Sequence, residues 1–212
     1  MSDTVTVTGG NNNPTATLNY NASDRADLQA SAFAKIIDAQ YSNSASSVYG
    51  SSGPASTYLI IPSASLGGTI DVSGYSAIVV QNTGGQVTLT GGNASGQTVL
   101  GSNGGLAYSS ALGSTTVVAG GGNNYVSLQG NASGGEIDLS DGNDTVLGGD
   151  GPTTIAAGTG SNSITAGGGS TTILVTGLDT IQLGGGTAMV DVMTGGSASI
   201  TGSSTGGSLA FA

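Results

Sequence analysis

Glu136, Asp138, Asp141, Asp144 and Asp150 place five carboxyl groups within fifteen residues of a 212-residue chain. Two kinds of chemistry use such a cluster. A pair of carboxylates can cleave a glycosidic bond, one acting as acid and the other as base or nucleophile. Alternatively, oxygens on neighbouring turns can surround a hard cation such as calcium. The chain has no His and no Cys, so imidazole bases, thiolate nucleophiles, disulfides and His/Cys metal sites are excluded. The glycosidase option lacks its supports. Glu136 is the only glutamate, the only bases are the distant Arg25 and Lys35, and there is no Trp to stack on a sugar ring. The expectation is therefore a protein that is not an enzyme, with acids that are solvated or face cations.

The elements that position these acids repeat. A branched apolar residue recurs at Val117, Val126, Ile137, Val146, Ile155, Ile164, Ile173, Ile181, Val190 and Ile200, with gaps of 9, 11, 9, 9, 9, 9, 8, 9 and 10. Such a period calls for stacked units, each burying its apolar residue against its neighbours. Forty glycines and only 4% aromatic residues suit a narrow interior filled by one or two side chains per layer. The expected fold is all-β, a parallel β-solenoid with one short N-terminal α-helix.

Three regions follow. Residues 1–50 form a head with an alternating strand at Thr4–Thr8 and a helix over Ser23–Tyr41. Ala26, Ala30, Phe33, Ile37 and Tyr41 make the apolar stripe of that helix, which is expected to pack over one end of the body. Residues 51–112 supply irregular coils, with strands at Tyr58–Ile61, Thr69–Val72, Ala77–Val80 and Gln86–Thr90. Residues 113–212 carry the regular repeat.

With "DGNDTVLGG" at Asp141–Gly149 and the partial copies "GTGSNSITA" and "GLDTIQLGG", this last region resembles the RTX nonapeptide family, G-G-x-G-x-D-x-U-x with U large and apolar. The resemblance covers about half the chain. It implies a β-roll in which two units make a coil, calcium in the turns, and type I export from bacteria without a cleaved leader. The N-terminus has no basic start or apolar stretch of the kind a cleavable signal peptide has.

In a two-unit coil alternate repeats stack, so the residue two before each apolar one forms a column on each side. One column reads Asn124, Asp144, Asn162, Asp179 and Ala198; the other reads Thr115, Gly135, Thr153, Thr171 and Ala188. Calcium, if bound, belongs on the side of Asn124, Asp144, Asn162 and Asp179. The metal-free alternative is a ladder in which these side chains satisfy turn amides. Outward residues such as Ser163/Thr165, Thr180/Gln182 and Ser199/Thr201 are small and neutral, most of them hydroxyl carriers, which opens a less favoured reading as an ice-binding solenoid.

A net charge of −10 opposes nucleic acid and anionic lipid, and no segment is apolar for the length of a membrane helix. The expected partner is the chain itself. Val5 and Val7 on a detached N-terminal strand and Leu209 and Phe211 in an apolar tail are the candidate assembly residues. The functional expectation is a secreted structural protein that stacks head to tail into a fibre, matrix or surface coat, in contact with exopolysaccharide or cell surface. A monomeric calcium-binding module that folds after export is the alternative.

Overall fold

β-branched side chains at a fixed interval fit a pleated, tightly stacked surface, and glycines between them allow abrupt corners. The computed structural model describes residues 2–7, 16–21, 47–48, 57–61, 68–82, 84–203 and 208–211. Its body is a parallel β-solenoid built from two sheets. In spatial order from the C-terminal edge, the ten-stranded sheet holds Ser208–Phe211, Thr187–Val192, Thr171–Val175, Thr153–Ala156, Gly135–Leu139, Thr115–Ala119, Gln97–Gly101, Tyr75–Val80, Thr57–Ile61 and Ser47–Val48. The eight-stranded sheet holds Ser197–Thr201, Leu178–Gln182, Ser163–Thr165, Thr145–Leu147, Tyr125–Ser127, Leu106–Ser110, Val87–Gly91 and Thr69–Asp71. The chain alternates between the sheets, so each coil takes one strand from each. Four expected strands in residues 58–90 are present with ends shifted by no more than two residues.

The repeat register is the one that the spacing dictates. Val126, Val146, Ile164, Ile181 and Ile200 stack in one sheet, and Val117, Ile137, Ile155, Ile173 and Val190 in the other. Nine of the ten belong to a single buried core cluster, and Ile200 packs against it half-buried.

Three features differ from the sequence expectation. The strand read at Thr4–Thr8 spans Ser2–Val7 and is not detached. It pairs antiparallel with Ala16–Asn21, Val5 opposite Leu18 and Val7 opposite Ala16. Alternation marks such a strand in sequence, whereas its partner lies beyond a connection whose length carries no periodic signal. The tail likewise joins the body: Leu209 stands in register with Ala188 and Phe211 with Val190, extending the ten-stranded sheet. Stacking also begins inside the region assigned to the head, because Ser47–Val48 pairs with Leu59 and Ile60. The helix expected over residues 23–41 lies outside the described residues.

The glycines answer a steric demand. Coils stack at the ~4.8 Å strand spacing, and at the corners carbonyls of one coil press on the next. A Cβ on Gly160 would lie 1.8 Å from the Gly142 carbonyl oxygen, and the residue has φ +111°. Both the clash and the left-handed backbone exclude a side chain there. Gly160→Ala is expected to destabilise the protein by ~3 kcal/mol or more, read as a lowered melting temperature. Gly130→Ala, equally left-handed at φ +76° but with nothing within 4 Å of its Cβ, should cost less.

Candidate functional site: an asparagine–aspartate ladder

The column Asn124, Asp144, Asn162, Asp179 turns inward at the corner leading into the eight-stranded sheet, and each member is at most 3% exposed. A buried polar column must find its partners within itself. It does so coil to coil. Asn124 Oδ1 accepts from the Leu106 N–H at 2.9 Å, Asp144 Oδ1 from the Asn124 N–H at 2.7 Å, and Asn162 Oδ1 from the Asp144 N–H at 3.0 Å. Each side chain thus caps the backbone of the coil before it.

The second polar atom of each side chain alternates in kind. Asn124 Nδ2 donates to the carbonyls of Gly120 (3.2 Å) and Gly122 (3.1 Å) and to Asp144 Oδ1 (3.1 Å). Asn162 Nδ2 donates to the Gly158 carbonyl (3.3 Å) and to Asp179 Oδ1 (2.8 Å). At the two aspartates an acceptor stands where the asparagines carry a donor. Asp144 Oδ2 and Asp179 Oδ2 are buried and receive no hydrogen bond.

Electrostatics follow from that placement. Burial pushes the Asp144 carboxyl up from 3.8 to about 7, against the hydrogen bonds from Asn124, while the charges of Asp179 and Asp141 push it the same way as burial. Burial also raises Asp179, opposed by its hydrogen bonds from Asn162.

The arrangement does not fit the calcium centre that the RTX resemblance implies. Calcium takes six or more oxygens at ~2.3–2.6 Å. At the asparagine levels a donor already occupies the turn carbonyls that an ion would need. Asp144 and Asp179 are two coils apart, ~9.6 Å at the strand spacing, too far for one ion to bind both. Among the described residues no group of three or more acids could hold a metal ion.

The threonines of the other column are also buried. Thr115 and Thr153 donate their hydroxyls to the carbonyls two residues back, Gly113 at 3.4 Å and Gly151 at 3.1 Å. The acids that opened the sequence argument do not converge. Asp138 lies in the ten-stranded sheet and is fully buried, Asp144 belongs to the ladder, and Asp141 accepts from the Thr159 hydroxyl on the next coil.

Two polar devices were not read from the sequence. Asn103, Asn123 and Asn143 form an exposed ladder running the opposite way, their Oδ1 atoms accepting from the N–H groups of Gly121, Asn143 and Ser161 one coil on (2.8, 3.0 and 2.9 Å). Its only sequence trace is the Asn that precedes the ladder position in "NN" and "GND". In the irregular half, buried Gln97 bonds the carbonyls of Val72 and Tyr75 through Nε2 and the Tyr108 hydroxyl through Oε1, each at 2.7 Å. Burial raises the Tyr108 phenol. No repeat marks either residue.

No protein-family model, curated protein or solved structure matches the chain.

Proposed function

We propose that this chain is a non-catalytic, secreted structural solenoid that associates end to end with copies of itself. The observation that carries the reading is the state of the C-terminal coil. The inward column containing Ile61, Val80, Ala119, Leu139 and Val175 is buried to within 2%, but its last member, Val192, is 41% exposed. Leu178 (63%) and Met193 (44%) are exposed at the same corner, where the Met193 N–H bonds the Val175 carbonyl and the Ser197 N–H bonds the Gly177 carbonyl. An apolar corner beside the edge strand Ser197–Thr201 is a surface on which another coil can stack. A contact that joins one end to the other is heterologous and propagates rather than closing. Dispersal of the clustered acids over separate faces supports a non-catalytic role, and secretion rests on the RTX resemblance. The N-terminal strand is not part of the proposal, since it is paired with Ala16–Asn21 and so is not the detached strand that the sequence suggested.

Sedimentation and negative-stain microscopy of the full chain over a concentration series, with chelator and with excess calcium, test this. Wild-type protein is expected to form elongated particles that lengthen with concentration in both conditions. Ile200→Lys puts a charge on the edge strand at a half-buried position; it should leave the β spectrum intact and weaken association at least ~tenfold. Wild-type protein that stays monomeric throughout rejects the reading, and a monomer whose β spectrum appears only with calcium favours the calcium-binding alternative.

A further inference from the structure

Asn103–Gly104 is the only Asn-Gly pair in the chain. Such a pair carries a chemistry of its own. Glycine has no side chain to hinder approach, so its main-chain nitrogen can attack the asparagine Cγ and close a five-membered succinimide. The new N–Cγ bond displaces the side-chain nitrogen as ammonia, and the proton of the attacking amide passes to water. Water then opens the ring at either carbonyl. One opening leaves aspartate, and the other leaves isoaspartate, in which the main chain runs through Cβ. The reaction consumes water alone and needs no oxidant or catalyst.

The fold pulls the two reacting groups apart. The Gly104 N–H donates to the Asn82 carbonyl on the coil before, at 3.0 Å. Asn103 Oδ1 accepts from the Gly121 N–H on the coil after, at 2.8 Å. Nucleophile and electrophile are thus tied in opposite directions along the stack, and the ring closes only when those ties break. The Asp141–Gly142 pair is held differently, with Asp141 Oδ1 and the Gly142 N–H both bonded to Thr159 on the following coil.

We propose that Asn103 is a self-modification site that coil stacking holds closed: it converts to isoaspartate only when this corner opens, and the corner then cannot close again. The second half follows from the space available. A Cβ on Gly104 would lie 2.8 Å from the Asn82 carbonyl oxygen, and a Cβ on Gly122 would lie 2.9 Å from the Asn103 carbonyl oxygen. Coils this close on both sides leave no slack for the extra main-chain carbon, ~1.5 Å of chain, that isoaspartate inserts. A coil is held only by its neighbours, so a corner that cannot seat also loosens those at Asn82 and Gly121. Plain aspartate adds no atom to the main chain and keeps an oxygen for the Gly121 N–H. Isoaspartate at 103 therefore records past openings of the stack, whether or not copies associate.

The test holds the full chain at pH 8, folded and in guanidinium, and follows deamidation and isoaspartate at residue 103 by peptide mass spectrometry. Folded protein is expected to convert at least ~30-fold more slowly than unfolded protein, at a rate that tracks hydrogen exchange of the Gly104 amide through low denaturant. Gly122→Ala presses on the Asn103 carbonyl from a backbone at φ +95°, and should speed conversion at least ~tenfold. Gly130→Ala, whose Cβ meets nothing within 4 Å, should leave the rate within ~twofold. Conversion as fast in folded protein as in guanidinium overturns the proposal. So does a slow rate that Gly122→Ala, folded but with a lowered melting temperature, leaves unchanged. If that variant does not fold, the wild-type denaturant series decides, and a rate that ignores Gly104 exchange rejects closure by stacking. The one-way step is read on chains returned from guanidinium. Asn103→Asp is expected to regain full exchange protection at the Gly121 amide, whereas isoaspartate chains stay unprotected there. Isoaspartate chains that regain it overturn that step.

Discussion

Ile164→Asp is expected to unfold the coils on both sides of residue 164, seen as loss of hydrogen-exchange protection from about Val146 to Ile181 and of much of the β circular dichroism. Ile164 is 1% exposed and stacks directly between Val146 and Ile181. The interior is so narrow that each coil contributes only a few core side chains, with no mobile layer to admit water. A carboxylate there has no cation within the core cluster, whose members are all uncharged. Transfer of a lone charge into such a medium costs ~5 kcal/mol or more, comparable to the whole stability of a domain. The damage spreads because a solenoid coil has only its two neighbours to hold it. Ser163→Asp, one residue away but exposed, separates this cause from a general effect of charge and should shift stability by no more than ~0.5 kcal/mol. An Ile164→Asp protein that melts within a few degrees of wild type would contradict the inward placement of the repeat.

That inward placement was legible because burial in a solenoid imposes one apolar residue per unit at a fixed interval, and nothing on the surface imitates it. The ladder was legible for a related reason: in the column of Asn124, Asp144, Asn162 and Asp179 the residue two before the apolar position caps an amide of the preceding coil, a task that Asn and Asp perform. What the offset could not tell was whether the column held an ion, since Asn and Asp read alike until donors and acceptors are placed. The burial of the outward residues Ile60, Val79, Leu100 and Val118 was visible only as doubled apolar residues, Ile60–Ile61, Val79–Val80, Val99–Leu100 and Val117–Val118. Such pairs say that a strand is buried on both sides without naming the second partner. The antiparallel partner of Ser2–Val7 was hidden because pairing between distant segments has no local signature. Gln97 and Tyr108 lie in different sheets and meet across the interior of the irregular half, where no period fixes which residues face one another.

Asp144→Asn is expected to raise the melting temperature by several degrees at pH 8 and to flatten the pH dependence of stability between pH 4 and 7. The folded-state carboxyl titrates at about 7 against an ordinary value of 3.8. Below pH 3.8 the group is protonated in both folded and unfolded chains and its burial carries no penalty of ionisation. Between 3.8 and about 7 the folded protein retains a proton that the unfolded chain releases, so stability falls as pH rises through this window. Above 7 both states are ionised and the loss is complete, about 4 kcal/mol at ~1.4 kcal/mol per unit. An amide removes that term. It also restores the donor that Asn124 and Asn162 supply at the equivalent place, where Asp144 Oδ2 accepts nothing. Asp179 lies two coils away with its own carboxyl raised by burial, so Asp144→Asn combined with Asp179→Asn should flatten the profile further. Thermal melts of wild type and both variants from pH 4 to 8 provide the measurement. Parallel profiles for wild type and Asp144→Asn would mean that the column does not hold its proton at Asp144. A wild type stabilised on ionisation, with stability rising through the same window, would instead put a cation beside that oxygen.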